Sequence, residues 1–161
     1  MGEITALRTN TSKKQVNVFI DGSFCCAIDN EVAARAGLRV GQCLSPDEIE
    51  KLTETDLFHK CFSAALRYLS YRPRSEAEVR QRLYRRGFNE DVVNEVMIGL
   101  KERGLVDDVA FAQYWKENRL SFRPRSRELI KLELRQKGVA TEIADEIVED
   151  LNNETIAYEA G

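Results

Sequence analysis

Two stretches of this chain, Tyr71-Arg72-Pro73-Arg74-Ser75 and Phe122-Arg123-Pro124-Arg125-Ser126, read almost alike. The similarity continues without a gap through residues 76–100 and 127–151, at a constant offset of 51. A fixed period of this length is the signature of a repeated supersecondary unit. Apolar residues and glycines recur at matched positions, as in the pairs Val79/Ile130, Leu83/Leu134, Gly87/Gly138, Phe88/Val139, Val92/Ile143, Val96/Ile147 and Leu100/Leu151.

Each copy of the repeat opens with a signal for a helix start. A proline disfavours the helical conformation in the residue before it, and the serine two positions later can cap the first turn. In the first copy, residues 75–78 read Ser-Glu-Ala-Glu, which has the form of a capping box. The first repeat is predicted to contain three helices, with caps at Ser75, Asn89 and Asp107 and glycine ends at Gly87 and Gly104.

The second repeat starts in the same way. Ser126 and Gly138 bound its first predicted helix, and Thr141 is expected to cap the next. At the offset of 51, only residues 158–161 remain for a third helix. The second repeat is therefore expected to be incomplete.

Upstream of the repeats, residues 1–44 are predicted to form a small β-rich subdomain. Apolar residues alternate on both sides of Asp21-Gly22-Ser23, which is the pattern of two strands joined by a tight turn. The remaining elements are a third strand at Ile4–Leu7, a short helix capped by Asn30 and ended by Gly37, and a return strand at Gly41–Leu44.

Residues 45–70 are predicted to form a linking helix, because Ser45 can cap it and Pro46 suits the first helical position. A break near residues 53–56 is the alternative. The predicted fold is mainly α, with tandem three-helix repeats and a small N-terminal subdomain that contains a β-hairpin. The predicted domains are the subdomain at 1–44, the linking helix at 45–70, repeat 1 at 71–121 and the incomplete repeat 2 at 122–161.

The composition is that of a globular protein. The 161 residues are 43% hydrophobic and 32% charged, and neither a long apolar run nor a signal-peptide pattern is present. The chain is therefore expected to be cytoplasmic and to bind no membrane, and a monomer is expected. Its four cysteines form no C-x-x-C pair, so they are predicted to be reduced, partly buried thiols.

The sequence offers little for catalysis. Its one histidine, His59, precedes Cys61 by two residues, and this spacing on a helix does not direct both side chains to one face. No phosphate-binding glycine loop, dinucleotide fingerprint, zinc-protease motif or EF-hand loop occurs. His59 is predicted to be a surface or lightly packed histidine on the linking helix. The chain is predicted not to be an enzyme and to use no cofactor or metal.

Charge is sorted along the chain, although the formal net charge is only −3 and the sequence pI is near 5.4. Residues 67–86 hold seven arginines and two glutamates, and residues 119–137 hold seven basic residues and two glutamates. After Gly138 there are seven acidic residues and no lysine or arginine. A basic segment therefore opens each repeat, which is a typical footprint of contact with an anionic partner.

The R-P-R element lies just ahead of a helix N-terminus, where free backbone N–H groups already favour an anion. Two arginines held there would form a clamp for phosphate or carboxylate, because a guanidinium binds either group through two hydrogen bonds. A solvated charged helix face is the alternative. The predicted contact residues are Arg72, Arg74, Arg80, Arg85, Arg86, Arg123, Arg125, Arg127, Lys131, Arg135 and Lys137.

Trp115 lies near Phe111 and Tyr114 on the third predicted helix, an arrangement that could also stack on nucleic acid bases. Its helical spacing suits packing better, because a bundle of this size needs aromatic bulk in its core. Trp115 is predicted to be a core residue that packs against Val92, Val96 and Leu100.

The motifs quoted above resemble those of the RecX regulatory proteins of bacteria over residues 66–151. The matching runs are LSYRPRSEAEVRQRL at 69–83, RRGF at 85–88, LVDD at 105–108, FA-x-YW at 111–115, RPRSR at 123–127 and LRQKG at 134–138. The VFIDGSF hairpin at 18–24 and GLRVGQ at 37–42 look like the extension that some members carry.

The resemblance implies tandem three-helix repeats in an elongated, curved array that binds in the groove of the RecA–DNA filament. It implies regulation of DNA recombination, DNA repair and the SOS response, usually as inhibition of RecA, without catalytic residues. The implied partners are a RecA-type recombinase filament and the DNA phosphates within it. Members usually have three repeats, so the third is expected to be missing here. A free-standing helical DNA-binding module and a protein-only adaptor remain open as alternatives.

Overall fold

The computed structural model describes residues 1–122 and 127–149, apart from the side chains of residues 120–122. The chain divides into two compact units, Met1–Ser63 and Ala64–Gly161. The first unit contains a β-sheet and the second is helical, so the predicted fold class, mainly α with a small N-terminal strand subdomain, is confirmed. Among the described helices, none combines the length and the apolar character that crossing a bilayer requires.

The sheet of the first unit has four antiparallel strands in the order β3-β2-β1-β4. The predicted hairpin is present, and its turn residues Asp21 and Gly22 have positive φ angles of 51° and 84°. Two consecutive positive φ values are the mark of the type I′ turn, whose twist matches that of the paired strands. The strands are β1 (Gly2–Asn10), β2 (Gln15–Ile20), β3 (Ser23–Asp29) and β4 (Cys43–Leu44).

A short helix, α1 (Asn30–Ala36), follows β3 and ends at Gly37 with φ 65°, as predicted. The predicted cap, Asn30, is wrong by one residue: Asp29 is the cap, and its carboxylate accepts the Glu31 N–H at 2.8 Å. Asp29 and Asn30 have similar capping preferences, so the local sequence cannot separate them. The core of this unit is formed by Ile4, Val18, Ile28, Val32, Ala33, Leu44 and Leu52.

The helix predicted over residues 45–70 is present as α2 (Pro46–Leu69). Its cap is reciprocal, because the Ser45 hydroxyl accepts the Glu48 N–H at 3.1 Å and the Ser45 N–H donates to the Glu48 carboxylate at 3.4 Å. The alternative of a break near residues 53–56 is wrong. Thr53 and Thr55 stay helical, and their hydroxyls donate to backbone carbonyls of the preceding turn, at 2.8 and 2.9 Å.

Within its described residues, the second unit contains five further helices. The predicted caps Ser75, Asn89 and Asp107 are confirmed by hydrogen bonds from first-turn N–H groups to their side chains. Thr141 is not a cap, because the first carbonyl to accept within the last helix is that of Ala140. Ser126 lies outside the described residues. The helices are α3 (Glu76–Arg85), α4 (Glu90–Glu102), α5 (Asp108–Phe122), α6 (Arg127–Gln136) and α7, described at 141–149.

Trp115 is a core residue, as predicted, with 9% of its surface exposed. Its predicted partners in α4 are wrong: Trp115 belongs to a cluster with side chains of α6 and α7. The helical spacing gives the buried face of α5 but not the helix that covers it. The buried members of this cluster, called here the α5–α7 core, are Phe111, Ala112, Trp115, Ile130, Leu134, Val139, Ala144, Ile147 and Val148.

The four cysteines are free, but the prediction of partly buried thiols is only half correct. Cys61 is buried and Cys26 is half-buried, whereas Cys25 and Cys43 are exposed. Burial raises the pKa of the Cys61 thiol to about 11. Burial, followed by a hydrogen bond with Cys25, raises the pKa of Cys26 to about 12. These two thiols are therefore protonated at neutral pH, which suits packing rather than reactivity.

Candidate functional site

The start of α3 is held in place by residues of α5 and of the end of α6. The buried Ser75 hydroxyl accepts the Glu78 N–H at 3.1 Å and donates to the Lys137 carbonyl, which follows the last residue of α6. The Glu76 N–H donates to the Asp108 carboxylate at 2.9 Å, in the first turn of α5. Three helices thus meet where the first R-P-R element enters α3.

Glu78 is the centre of a charge network at this junction. Two guanidinium nitrogens of Arg72 donate to its two carboxylate oxygens at 2.8 and 3.3 Å, and the Lys137 ammonium lies 3.7 Å away. Burial alone would raise the pKa of the Glu78 carboxyl. The hydrogen bonds from Arg72 and from the Ser75 N–H, with the charges of Arg72 and Lys137, outweigh burial and hold this pKa below its usual value. Arg72 is thus part of the framework.

Arg72 and Lys137, together with Arg119, lie over the indole of Trp115. The Arg72 guanidinium is 5.7 Å from the ring centre, that of Arg119 is 4.4 Å away, and the Lys137 ammonium is 5.3 Å away. Cations over an aromatic face are attracted by its negative charge density. Trp115 therefore connects the α5–α7 core to the charge network around Glu78.

Gly138 allows the end of α6 to approach α3. Its φ is 84°, and a Cβ added there would overlap the Cβ of Ala77 in α3. Gly87, at the matched position of the first repeat, also has a positive φ of 93°, but a Cβ there would meet nothing within 4 Å. Both glycines end a helix, and Gly138 also permits a close contact between helices.

A cavity of about 420 Å³ opens beside this junction. We call it the basic cleft, because four of its lining side chains are cationic and one is an acid, Glu78. Glu78 is already engaged with Arg72 and Lys137, so positive charge remains in excess at the cleft. The lining residues are Tyr68, Arg72, Arg74, Ala77, Glu78, Gln81, Arg85, Gln136, Lys137 and Gly138.

The cleft has an aromatic platform that sequence reasoning missed. The Arg74 guanidinium lies 4.0 Å from the centre of the Tyr68 ring, and its Nε donates to the Tyr68 carbonyl at 3.4 Å. Arg82 approaches the same ring, at 5.4 Å. Stacking leaves the edge of a guanidinium available to hydrogen-bond an anion. The available sequence signal was an aromatic residue in the last turn of the helix that precedes the R-P-R element.

The cleft brings together four of the predicted contact residues, Arg72, Arg74, Arg85 and Lys137. Two others form ion pairs elsewhere: Arg80 is 3.5 Å from Glu76, and Lys131 is 3.4 Å from Asp145. Arg123 and Arg125 lie outside the described residues, so the second clamp is not described. The remaining predicted residues are exposed at the end of α3 or on α6: Arg86, Arg127 and Arg135.

Family models match most of the helical part of the chain. Residues 61–98 match the first three-helix domain of RecX, and residues 107–147 match the second. The first match contains the end of α2, α3 and most of α4, and the second contains α5, α6 and most of α7. The family thus groups α5 with the helices that share its core.

Curated relatives extend the similarity to the whole chain. Regulatory protein RecX of Clostridium perfringens strain SM101 is 31% identical over 161 residues, which is 99% of this chain and 75% of the relative. Regulatory protein RecX of Listeria welshimeri is 30% identical over 143 residues, which is 89% of this chain and 53% of the relative. The chain spans about half the length of the Listeria relatives.

Solved structures share the fold. A crystal structure of regulatory protein RecX matches 94% of this chain and 74% of its own, with a TM-score of 0.72 at 24% identity. The crystal structure of RecX from Lactobacillus salivarius matches 58% of this chain and 61% of its own, with a TM-score of 0.56 at 30% identity. With two matched domains and a relative aligned over three quarters of its length, the chain belongs to the RecX family.

Proposed function

We propose that this chain regulates homologous recombination by binding the RecA–DNA filament and inhibiting the recombinase. Membership of a family whose members carry the name regulatory protein supports a regulatory role. The observation that carries the proposal is the basic cleft, where Arg74 and Arg85 lie beside a rigid junction of three helices. Binding alone is sufficient for such a regulator, because an occupied groove excludes incoming duplex.

The cationic residues of the cleft divide into two roles. Arg72 and Lys137 neutralise Glu78 and hold α3 against the end of α6. We assign contact with the phosphates of the filament to Arg74, which lies against the Tyr68 ring, and to the exposed Arg85. A preorganised guanidinium loses little freedom on binding, which favours affinity. We extend the contact role to Arg80, Arg86, Arg123, Arg125, Arg127, Lys131 and Arg135, which continue the basic segments.

The acidic residues of α7 suit contact with protein rather than with DNA. Glu142, Asp145 and Glu146 are exposed on α7, where their charge repels DNA. We propose that α7 faces recombinase protein while the basic segments face phosphates. Complementary charge of this kind sets the orientation of a complex and suppresses the wrong one.

Charge reversal in the cleft tests this proposal. Arg74→Glu with Arg85→Glu should abolish inhibition of RecA strand exchange and ATPase, because each reversal removes a cation from a phosphate and adds repulsion. The slope of log affinity against log salt should become shallower by about 1 for each phosphate that is no longer neutralised. Arg72 is left unchanged, because its reversal would disrupt Glu78. The matched control is Arg39→Glu with Lys51→Glu, which reverses two exposed charges in the first unit.

The helical circular dichroism spectrum should be the same for wild type, the cleft variant and the control. Full inhibition by the cleft variant would refute the contact role. Titration against naked DNA, recombinase alone and the assembled filament separates the alternatives. Salt-dependent binding to naked duplex as tight as to the filament would favour a free-standing DNA-binding module. Salt-independent binding to recombinase alone would favour a protein-only adaptor.

A further inference from the structure

The first unit brings one histidine and two carboxylates together. His59 Nε2, on α2, lies 3.3 Å from Asp29 Oδ1 and 3.8 Å from Glu31 Oε2, at the start of α1. One ligand atom from each of these three residues lies within 4.8 Å of the other two. Ligands bound at about 2.0–2.2 Å to one tetrahedral or octahedral cation are separated by about 3 Å, so small rotations of the side chains would complete such a site.

We propose that Asp29, Glu31 and His59 bind one divalent transition-metal cation, with Zn²⁺ as the best-matched ion. Two carboxylates and a neutral imidazole carry a charge of about −2, which balances the cation. The imidazole nitrogen selects Zn²⁺ over Mg²⁺, which prefers an all-oxygen environment. Three protein ligands leave a coordination position for water.

The surroundings hold two of the ligands in position before any metal binds. Asp56, which is 5% exposed, accepts the backbone N–H of Asp29 at 2.7 Å and pairs with Lys60 at 2.7 Å. Asp56 and His59 lie one turn apart on α2, so this buried contact fixes the Asp29 backbone opposite His59. Preorganisation of this kind lowers the entropic cost of assembling a metal site.

The remaining ligand is free to adjust. The Glu31 side chain is 68% exposed, and its 4.0 Å pair with Arg35 is a surface contact of little energetic value. Asp29 Oδ1 faces His59 and also accepts the Glu31 N–H that caps α1. A carboxylate oxygen has two lone pairs, so the cap and a metal bond can share this atom. Metal binding therefore requires no rearrangement of the backbone.

The test exploits the fact that His59 is the single histidine of the chain. Its imidazole signals in NMR spectra of the full chain are followed as Zn²⁺ is added. Serine replaces the exposed thiols Cys25 and Cys43, because thiolates would compete for the metal. The imidazole signals should shift and saturate at one Zn²⁺ per chain, and the same concentration of Mg²⁺ should not shift them.

Asp29→Asn and Glu31→Gln should each weaken Zn²⁺ binding at least about tenfold. Asp29→Asn keeps the helix cap, because asparagine caps as well as aspartate. Glu50→Gln, at an exposed position of α2, is the control and should bind as wild type. A protonated His59 paired with two carboxylates would account for the same geometry without a metal. Imidazole signals that do not respond to Zn²⁺, or variants that bind as tightly as wild type, would overturn the proposal.

Discussion

At the scale of single residues, Glu78 holds together several of the side chains that line the basic cleft. Its side chain is 11% exposed and accepts hydrogen bonds from Arg72 and from the backbone of Ser75, with Lys137 nearby. These partners favour the ionised form of the Glu78 carboxyl, and their hydrogen bonds and ion pairs weaken when it is protonated. The geometry of the cleft should therefore depend on pH.

We expect Glu78→Gln to lower the free energy of unfolding by about 1.5–3 kcal/mol at pH 7, because glutamine keeps the shape but loses the charge-assisted hydrogen bonds. The pKa of Glu78 is lowered from 4.5 by folding. The difference in free energy of unfolding between wild type and Glu78→Gln is therefore fully present above pH 4.5. It is lost as the pH falls through the lower folded-state pKa of Glu78. Urea denaturation of both proteins between pH 7 and acid, followed by Trp115 fluorescence, measures this difference.

Glu90→Gln provides the control, since Glu90 is exposed in the first turn of α4. The free energy of unfolding of Glu90→Gln should stay close to that of wild type across the same pH range, apart from a small helix-dipole effect. A difference between wild type and Glu78→Gln that grows as the pH falls below 4.5 would contradict the assignment.

The sequence predicted which residue types the cleft would use but not how they are paired. Arg72 and Arg74 flank the same proline and look equivalent in the sequence. In the structure Arg72 binds Glu78, whereas Arg74 stacks on Tyr68. Pairing depends on the path of the chain around Pro73, which residue spacing does not specify.

At the scale of helices and strands, prediction succeeded where the signal is local. The hairpin turn at Asp21-Gly22 and the capping box at Ser75 require only neighbouring residues, and both were predicted correctly. The two caps that were wrong, Asn30 and Thr141, are each displaced by one residue from the observed cap position. A one-residue error at a helix end is expected when the residue types alone do not determine the boundary.

Two helix ends that the repeat matches have different surroundings in the structure. Gly87 and Gly138 are matched by the offset of 51 and end their helices with similar φ angles. Only Gly138 lies against another helix, at Ala77. The sequence therefore predicts one role for two glycines whose surroundings are different.

Alanine substitution at these two positions should separate the roles. Gly87→Ala should cost about 1–2 kcal/mol, the penalty for a side chain at positive φ. Gly138→Ala should cost about 1–3 kcal/mol more, because its Cβ would also overlap Ala77. Urea denaturation followed by circular dichroism measures both values. Equal losses would show that the contact between Gly138 and α3 adds nothing to stability.

At the scale of the whole molecule, the repeat gives the length of the repeated unit, 51 residues, but not the helix at which each unit begins. The first repeat predicted from the sequence, at 71–121, groups α3, α4 and α5. The family domains instead group the end of α2 with α3 and most of α4, and α5 with α6 and most of α7. A period is unchanged when every boundary moves by one helix. The boundaries between units depend on which helices pack together. Trp115 lies in the α5–α7 core, which supports the grouping given by the family domains.

This grouping predicts which substitutions Trp115, the single tryptophan, will report. Leu134→Ala, at a fully buried position of α6, should lower the free energy of unfolding by about 2–5 kcal/mol and shift Trp115 emission to longer wavelength. Leu132→Ala on the same helix, at a position 53% exposed, should change stability by less than about 0.5 kcal/mol. Val96→Ala, buried in α4, should destabilise the protein but leave the native emission unchanged. Emission that responds to Val96→Ala and not to Leu134→Ala would instead place α5 with α3 and α4, because the emission of a buried indole responds most strongly to changes in its own neighbours.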